Sequence, residues 1–179
     1  SLLRHKLCVS TLAEFGPDSR FHRVQPESYP LVADDKIRRV VLCAGKVYYD
    51  LLQARMDAAI DDVAIVRIEQ QYPWPRDSVF TQVARYPNAE VVWAQEEPAN
   101  MGPWSFIERR LVFILEDLGR TPSRPGYAGR PPAASPATGL YKTHNKEQAA
   151  LCEHALSVPM ADQLVPFRRP TPMASVKPR

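Results

Sequence analysis

Short runs of apolar residues alternate along the chain with longer segments in which apolar residues recur every three or four positions. The predominantly apolar runs lie at residues 40–43, 63–68 and 90–94, and the first of them is apolar throughout. Such runs are typical of parallel strands that are buried on both faces of a sheet. The periodic segments predict helices at residues 46–59, 77–86, 103–118 and 144–156.

The alternation of strands and helices predicts an α/β fold with a small, mostly parallel sheet and helices on both faces. A further short strand is predicted at residues 127–129, and Thr143 or Asn145 is expected to cap the last helix. The chain divides into three parts on this basis. They are an extended amino-terminal segment or linker at 1–37, the α/β domain at 38–157, and a flexible, basic, proline-rich tail at 158–179.

The composition fits a globular protein with one main domain, because the chain has 179 residues of which 45% are hydrophobic and 24% are charged. The formal net charge of +3 comes entirely from residues 158–179, so the remainder is neutral. A neutral body argues against a nucleic-acid surface, which needs a concentrated basic stripe. No apolar run approaches the roughly 18 residues of a membrane span. We therefore expect neither a nucleic-acid partner nor a membrane partner.

The cysteines and histidines do not predict a metal site. Cys8, Cys43 and Cys152 form no CxxC pair, and none of the four histidines has a histidine partner at the i+4 spacing of a zinc helix. A sparse, odd number of cysteines without a signal peptide favours a reducing, cytoplasmic location. The chain starts at Ser1 rather than at methionine, so we expect it to be a fragment or a processed product.

The most distinctive segment, residues 94–104, follows the third predicted strand. It lies at the expected carboxyl edge of the sheet, where α/β folds bind ligands and partners. Its adjacent carboxylates, Glu96 and Glu97, are a residue pair that can carry acid–base chemistry. Adjacent side chains usually point in different directions, however, so we favour a structural or subunit-contact role.

Two further positions at this edge are candidates for binding a phosphate-containing ligand. Gly45 and Lys46 lie at a strand-to-helix turn, where backbone N–H groups bind anions, but the full phosphate-binding signature is missing and a tight turn is favoured. Gln70 can donate and accept hydrogen bonds, so ligand binding and bracing of its own loop are equally open. No Gly-x-Ser-x-Gly elbow and no complete catalytic set is present, so no catalytic residue is predicted.

Six segments, in order along the chain, resemble a single family. They read SLLRHK at residues 1–6, VLCAGKVYYDL at 41–51, AIVRIEQ at 64–70, QEEPANMGPW at 95–104, YAGRP at 127–131 and ASPATG at 134–139, followed by His144. Over residues 1–157 the chain resembles the carboxyl-terminal domain of 2-oxoglutarate dehydrogenase, the thiamine-dependent decarboxylating component of its complex. Residues 158–179 match nothing in that family.

The resemblance implies a fold like the carboxyl-terminal domain of transketolase, and an assembly or regulatory role. It implies a parent oxidoreductase of the citric acid cycle that decarboxylates 2-oxoglutarate with thiamine diphosphate and magnesium and transfers a succinyl group to a lipoyl group. In the family the cofactor site and the catalytic histidines belong to preceding domains. We therefore expect this chain alone to be inactive and to bind no cofactor.

The implied partners are a second subunit in a homodimer, the rest of the dehydrogenase chain and the lipoyl succinyltransferase component. The expected subunit-contact loop contains Glu96, Glu97, Asn100 and Trp104. Two alternatives are weighed against this interpretation. One is a stand-alone CoA- or nucleotide-binding α/β module, and the other is the equivalent domain of a related thiamine enzyme such as a transketolase.

Some family members bind acetyl-CoA as an activator, and the resemblance can be followed residue by residue. Arg20 and Gln70 match the basic residue before a phenylalanine and the glutamine that those members use, and Lys46 is a third candidate contact. Arg23 stands where they have a serine, and residues 77–78 are aspartate and serine where they have two arginines. Because hydrogen bonds to charged groups contribute roughly 1.5–3 kcal/mol each, we expect weak or absent acetyl-CoA binding.

Overall fold

The computed structural model describes residues 2–159, which form five strands and four α-helices besides three short 3-10 helices. The strands and helices are β1 (Val24–Gln25), β2 (Arg39–Cys43), α1 (Val47–Asp57), β3 (Val63–Ile68), α2 (Arg76–Arg85), β4 (Glu90–Pro98), α3 (Trp104–Asp117), β5 (Gly126–Arg130) and α4 (Tyr141–Leu156). The tail expected at 158–179 lies outside the described residues from position 160 onward.

The strands form one sheet in the order β1-β3-β2-β4-β5, and β2, β3, β4 and β5 run parallel. The chain passes from β2 outward to β3 and then returns past β2 to β4. The order therefore reverses between β2 and β4, and the carboxyl ends of the four parallel strands meet at one edge. The predicted mostly parallel α/β sheet is confirmed.

The apolar residues divide between the two faces of the sheet because successive side chains of a strand point to opposite sides. Val40 and Leu42 of β2 pack in one cluster with residues of α2 and α3. Val41 and Cys43 pack in a second cluster with residues of α1 and α4. All five residues of β2 are buried, as expected for a central strand covered on both sides.

Three details differ from the sequence-based expectations. Strand β4 continues to Pro98 rather than ending at residue 94, with a register shift against β5 that accommodates the proline. Helix α4 begins at Tyr141, three residues earlier than predicted, and its N-cap residue is Leu140, which makes no side-chain cap hydrogen bond. The expected caps at Thr143 and Asn145 are therefore wrong, because both residues lie inside the helix.

The amino-terminal segment, residues 1–37, contributes to the sheet, which the sequence did not predict. Strand β1 pairs antiparallel with β3, and Glu27 anchors the same segment to the core. The Glu27 carboxylate accepts hydrogen bonds from Arg55 Nη2 at 3.1 Å and from the Ile65 backbone N–H at 2.8 Å. The Arg55 and Glu27 side chains are only 3% and 4% exposed, so this ion pair is buried.

Candidate functional site

The carboxyl edge of the sheet holds most of the candidate residues. A cleft of about 390 Å³ opens there beside the point where the strand order reverses between β2 and β4. It is lined by Ala44, Gln71, Trp93, Ala94, Gln95, Glu97, Gly102 and Pro103. Open α/β folds place ligands at such a position. The geometry of its polar groups decides whether this cleft is free to bind one.

Gln95 organises this edge, although sequence reasoning did not single it out. Its side-chain oxygen accepts hydrogen bonds from Trp93 Nε1 and from the Trp104 backbone N–H, both at 2.9 Å. Its side-chain nitrogen donates to the carbonyl oxygens of Glu97 at 3.1 Å, Pro98 at 3.2 Å and Met101 at 2.9 Å. The residue is 2% exposed. One buried amide therefore ties the end of β4 to its following loop and to the start of α3.

The signal that could have located Gln95 is its position. It is an amide that directly follows the four consecutive buried residues 91–94 and precedes a polar loop and a helix start. A buried amide needs partners for both its donors and its acceptor.

Glu96 and Glu97 diverge, as expected for neighbours on a strand. Glu96 Oε1 lies 3.6 Å from Lys46 Nζ and accepts a hydrogen bond of 3.2 Å from Gln148 Nε2 on α4. The Glu97 side chain is exposed and lies against Gly102. The two carboxylates therefore face different surroundings and do not form an acid–base pair.

Lys46 is already engaged by acidic side chains. Its ammonium lies 2.7 Å from Asp50 Oδ2 as well as 3.6 Å from Glu96. Although partial burial acts against it, the hydrogen bond to Asp50 and the charge of Glu96 raise the pKa of Lys46. A phosphate at the Gly45–Lys46 turn would have to compete with these two carboxylates for the same cation.

The remaining members of the expected subunit-contact loop have different environments. Asn100 is exposed, and its amide exchanges two hydrogen bonds of 3.0 Å with the backbone of Ala133. Trp104 is 2% exposed and packs against Tyr127, with 4.9 Å between the centroids of the two rings. Burial raises the pKa of the Tyr127 hydroxyl, which donates to the Arg130 carbonyl at 3.0 Å. Trp104 thus belongs to the core, and Glu97 and Asn100 are the exposed members.

The three candidate effector residues do not form one site among residues 2–159. Arg20 is exposed and lines a cleft of about 560 Å³ together with Arg67 and Tyr49. Gln70 donates from its side chain to the Pro73 carbonyl at 2.8 Å, which braces its own loop. Lys46 lines a different cleft, between α1 and α4.

A polar cluster that sequence reasoning missed joins β5 to the first turns of α4. Arg130 Nη2 lies 2.9 Å from His144 Nδ1, and Arg130 Nε lies 3.1 Å from Glu147 Oε2. Thr138 also donates a hydrogen bond to Glu147. Arg130 is 8% exposed, so these contacts are largely shielded from solvent. They hold the loop between β5 and α4 against the sheet.

Residues 2–159 contain no group of three or more His, Cys, Asp or Glu side chains placed to hold a metal ion. The same residues include no helix with the length and apolarity needed to cross a membrane. The carboxyl edge therefore presents a hydrogen-bonded scaffold with a few exposed polar side chains around it.

The fold defines an α/β domain of the transketolase type. A solved structure described as "Split gene transketolase, inactive beta4 tetramer" is similar with a TM-score of 0.51, over 79% of this chain and 45% of that chain, at 16% identity. The family model for the carboxyl-terminal domain of 2-oxoglutarate dehydrogenase matches residues 9–156. The chain belongs to this 2-oxoglutarate dehydrogenase C-terminal family, which confirms the resemblance seen in the sequence.

Individual relatives agree with this membership. The chain is 50% identical over 164 residues to the 2-oxoglutarate dehydrogenase E1 component of Brucella ovis, and 49% identical over the same length to that of Brucella abortus. Each alignment covers 87% of this chain but only 16% of the relative. The chain therefore spans about a sixth of the length of these relatives.

Proposed function

We propose that this domain serves assembly and regulation in a cytoplasmic, thiamine-dependent 2-oxoglutarate dehydrogenase. The whole enzyme would oxidatively decarboxylate 2-oxoglutarate and transfer a succinyl group to a lipoyl group in the citric acid cycle. The observation that carries the proposal is the family match across residues 9–156. The Gln95 hydrogen-bond network adds support, because it gives the most distinctive sequence segment a structural role.

The cofactors of such an enzyme, thiamine diphosphate and magnesium, do not fit the residues of this domain. Magnesium that bridges a diphosphate needs carboxylate or carbonyl oxygens directed at one point. Among residues 2–159 no suitable group of acidic side chains is present, and the Gln95 amide is already saturated with hydrogen bonds. We therefore assign cofactor binding to other parts of the whole enzyme and derive no catalytic step here.

The assembly role rests on the exposed rim of the carboxyl edge. Glu97, near the end of β4, and Asn100, in the turn that follows, are both exposed, and hydrogen bonds to Gln95 and the burial of Trp104 fix the conformation of this segment. A rigid loop loses little conformational entropy when it binds, which favours a subunit contact. We propose that this loop contacts the second subunit of a homodimer. Contacts with the remainder of the dehydrogenase chain and with the lipoyl succinyltransferase belong to the same proposal.

The alternative function, a stand-alone CoA- or nucleotide-binding module, has less support. Its strongest candidates, Lys46 and Gln70, already bind Asp50 and the Pro73 carbonyl. Arg76, which directly follows the Pro-x-Pro loop, pairs with Asp117 at 2.5 Å. We retain the expectation that acetyl-CoA binds weakly or not at all.

The deciding experiment compares the natural polypeptide that contains this sequence with the 179-residue chain. The natural polypeptide should decarboxylate 2-oxoglutarate when thiamine diphosphate and magnesium are supplied, with ferricyanide as electron acceptor, and the 179-residue chain should not. Turnover by the short chain would contradict the assembly role. A reading frame that begins at Ser1, together with micromolar binding of CoA in titration calorimetry, would favour the alternative function.

A further inference from the structure

A second cleft runs between α1 and α4, on the face of the sheet opposite to α2 and α3. It has a volume of about 690 Å³, which lies within the ~300–1,000 Å³ typical of binding pockets. Its apolar lining consists of Ala54, Ala58, Ile60, Ala149, Cys152 and Leu156. The cleft lies apart from the Gln95 network and has no part in the function proposed above.

The rim of this cleft is acidic. Asp50, Asp57 and Glu153 line it against a single lysine, Lys46, so the lining residues carry a formal net charge of −2 with His144 neutral. Lys46 pairs with Asp50, at the amino-terminal end of α1. Asp57 and Glu153 are exposed, and no lysine or arginine within residues 2–159 forms an ion pair with either. This end of the cleft thus attracts cationic side chains.

The chain leaves α4 at this same end. Leu156 and Ser157 are themselves lining residues, and the described residues stop at Pro159. Seven residues of chain reach about 23 Å when extended, at roughly 3.3 Å per residue. Helix α1, with 11 residues, is about 16 Å long at 1.5 Å per residue. Residues seven or more positions beyond Ser157 can therefore reach any part of the cleft.

The sequence within that reach has matching chemistry. Residues 164–167 are the apolar run Leu-Val-Pro-Phe, and Arg168 and Arg169 follow directly. Apolar side chains suit the lining of the cleft, and the two guanidinium groups suit carboxylates that lack a cationic partner within the described part of the chain. Because the segment is covalently attached, its effective concentration at the cleft is on the order of millimolar, so a weak contact is sufficient.

We propose that the cleft between α1 and α4 binds residues 164–169 of this same chain. The apolar run covers the floor of the cleft, and Arg168 and Arg169 pair with Asp57 and Glu153 at its rim. The segment thereby competes with any outside peptide or ligand for the same surface.

A photocrosslinking experiment on the full 179-residue chain tests the proposal. A benzoylphenylalanine placed at Phe167 should crosslink to peptides of α1 and α4 within one molecule, with a yield that does not depend on protein concentration. The matched control carries the same group at Val176, beyond the basic pair, and should give at least about fivefold less crosslinking to these helices. Crosslinks that map mainly to other surfaces would overturn the proposal.

Charge reversal supplies the second arm. Changing Arg168→Glu and Arg169→Glu together should lower the Phe167 crosslink about fivefold, as should Asp57→Lys with Glu153→Lys, and combining all four changes should restore it. Unchanged yields in the Arg168→Glu/Arg169→Glu variant would refute the pairing, and this variant leaves residues 2–159 intact. Crosslinks that form between molecules and increase with concentration would show that a second copy occupies the cleft, which also overturns the proposal.

Discussion

The carboxyl edge around Gln95 and the cleft between α1 and α4 use polar side chains in opposite ways. At the carboxyl edge, one amide that is 2% exposed satisfies two N–H donors and three carbonyl oxygens. In the cleft, Asp57 and Glu153 are exposed on the rim of an apolar floor. The central amide of the first region is fully engaged by its own fold, whereas the second region has charged and apolar surface that a binding partner can contact.

The segment by which the chain resembles its family and the surface that is free to bind a partner are therefore different parts of the molecule. The distinctive run at residues 95–104 is built around a network that holds strand, loop and helix together. Such a network stabilises the fold but leaves its central amide no capacity for a ligand. The less conspicuous residues of α1 and α4 form the larger cleft. A distinctive sequence segment therefore does not by itself locate a binding surface.

The largest expected effect comes from removing the amide at the complete site. Gln95→Leu should lower the free energy of unfolding by about 3–5 kcal/mol, because the buried N–H donors of Trp93 and Trp104 lose their acceptor and the Met101 carbonyl loses its side-chain donor. Urea denaturation monitored by tryptophan fluorescence measures this change.

The matched control for that change is the same substitution in the cleft. Gln148 donates to Asp50 at 2.9 Å and to Glu96 at 3.2 Å but is only partly buried. Gln148→Leu should therefore cost about 1 kcal/mol or less. If the two variants were equally stable, the contrast between the two regions would be wrong.

The sequence predicted the fold well because the signals for it are local. Consecutive apolar residues mark β2 and β3 as buried strands, and apolar periodicity marks α3. The sequence does not predict strand β1, because its two residues, directly before Pro26, carry no pattern of their own and pair with β3 only through tertiary contacts. The start of α4 was also missed, since Leu140 occupies the N-cap position without a capping side chain.

The candidate site was predicted only in part, because its geometry depends on contacts across the chain. The divergence of Glu96 and Glu97 follows from strand alternation and could be anticipated. The pairing of Glu96 with Lys46 and Gln148 joins three elements, and no local pattern encodes it. The same is true of Arg130 and His144, which meet across the loop between β5 and α4.

A smaller effect is expected from two glycines with left-handed backbone. Gly102 has φ of +64°, and a Cβ there would lie 2.9 Å from the Glu97 Cβ, whereas Gly45 has φ of +68° and open space around the Cβ position. Both alanine variants incur the conformational cost of roughly 1–2 kcal/mol, and Gly102→Ala adds a steric clash. Gly102→Ala should therefore be the less stable of the two in thermal unfolding. If Gly45→Ala were the less stable variant instead, the loop after β4 would be able to adjust its backbone to accommodate the added Cβ.

Lys46→Met should have a still smaller effect on stability, because Lys46 is about half exposed. Exposed ion pairs contribute ~0–1 kcal/mol and are screened by salt, so the difference from the unmodified chain should diminish in about 1 M salt. Urea unfolding at low and high ionic strength measures both quantities. If the free energy of unfolding fell by well over 1 kcal/mol and the loss persisted in high salt, Lys46 would be part of the structural network at the carboxyl edge rather than an exposed residue of the cleft.

The smallest expected effect on stability at neutral pH comes from Cys152, on the floor of the cleft. Its environment should alter the reactivity of its thiol more than the stability of the fold. Burial and the charges of Asp50 and Glu96 raise the pKa of its thiol to about 11. Since the thiolate is the reactive form, labelling by iodoacetamide should be slow at pH 7.5 and should accelerate about tenfold per pH unit below that pKa. Cys8, which is partly exposed, should react faster, and the fully buried Cys43 should remain unmodified.

The sign of the linked stability change follows from the same pKa. Because folding raises the thiol pKa from 9.0 to about 11, the unfolded chain binds fewer protons than the folded chain in that interval, so stability falls as the pH rises from 9 to 11. Cys152→Ala should remove this contribution together with the slow labelling phase.

Deleting residues 160–179 should accelerate labelling of Cys152 if that segment covers the cleft. Equal rates for Cys152 and Cys8 in the full chain would show that the floor of the cleft is open to the reagent.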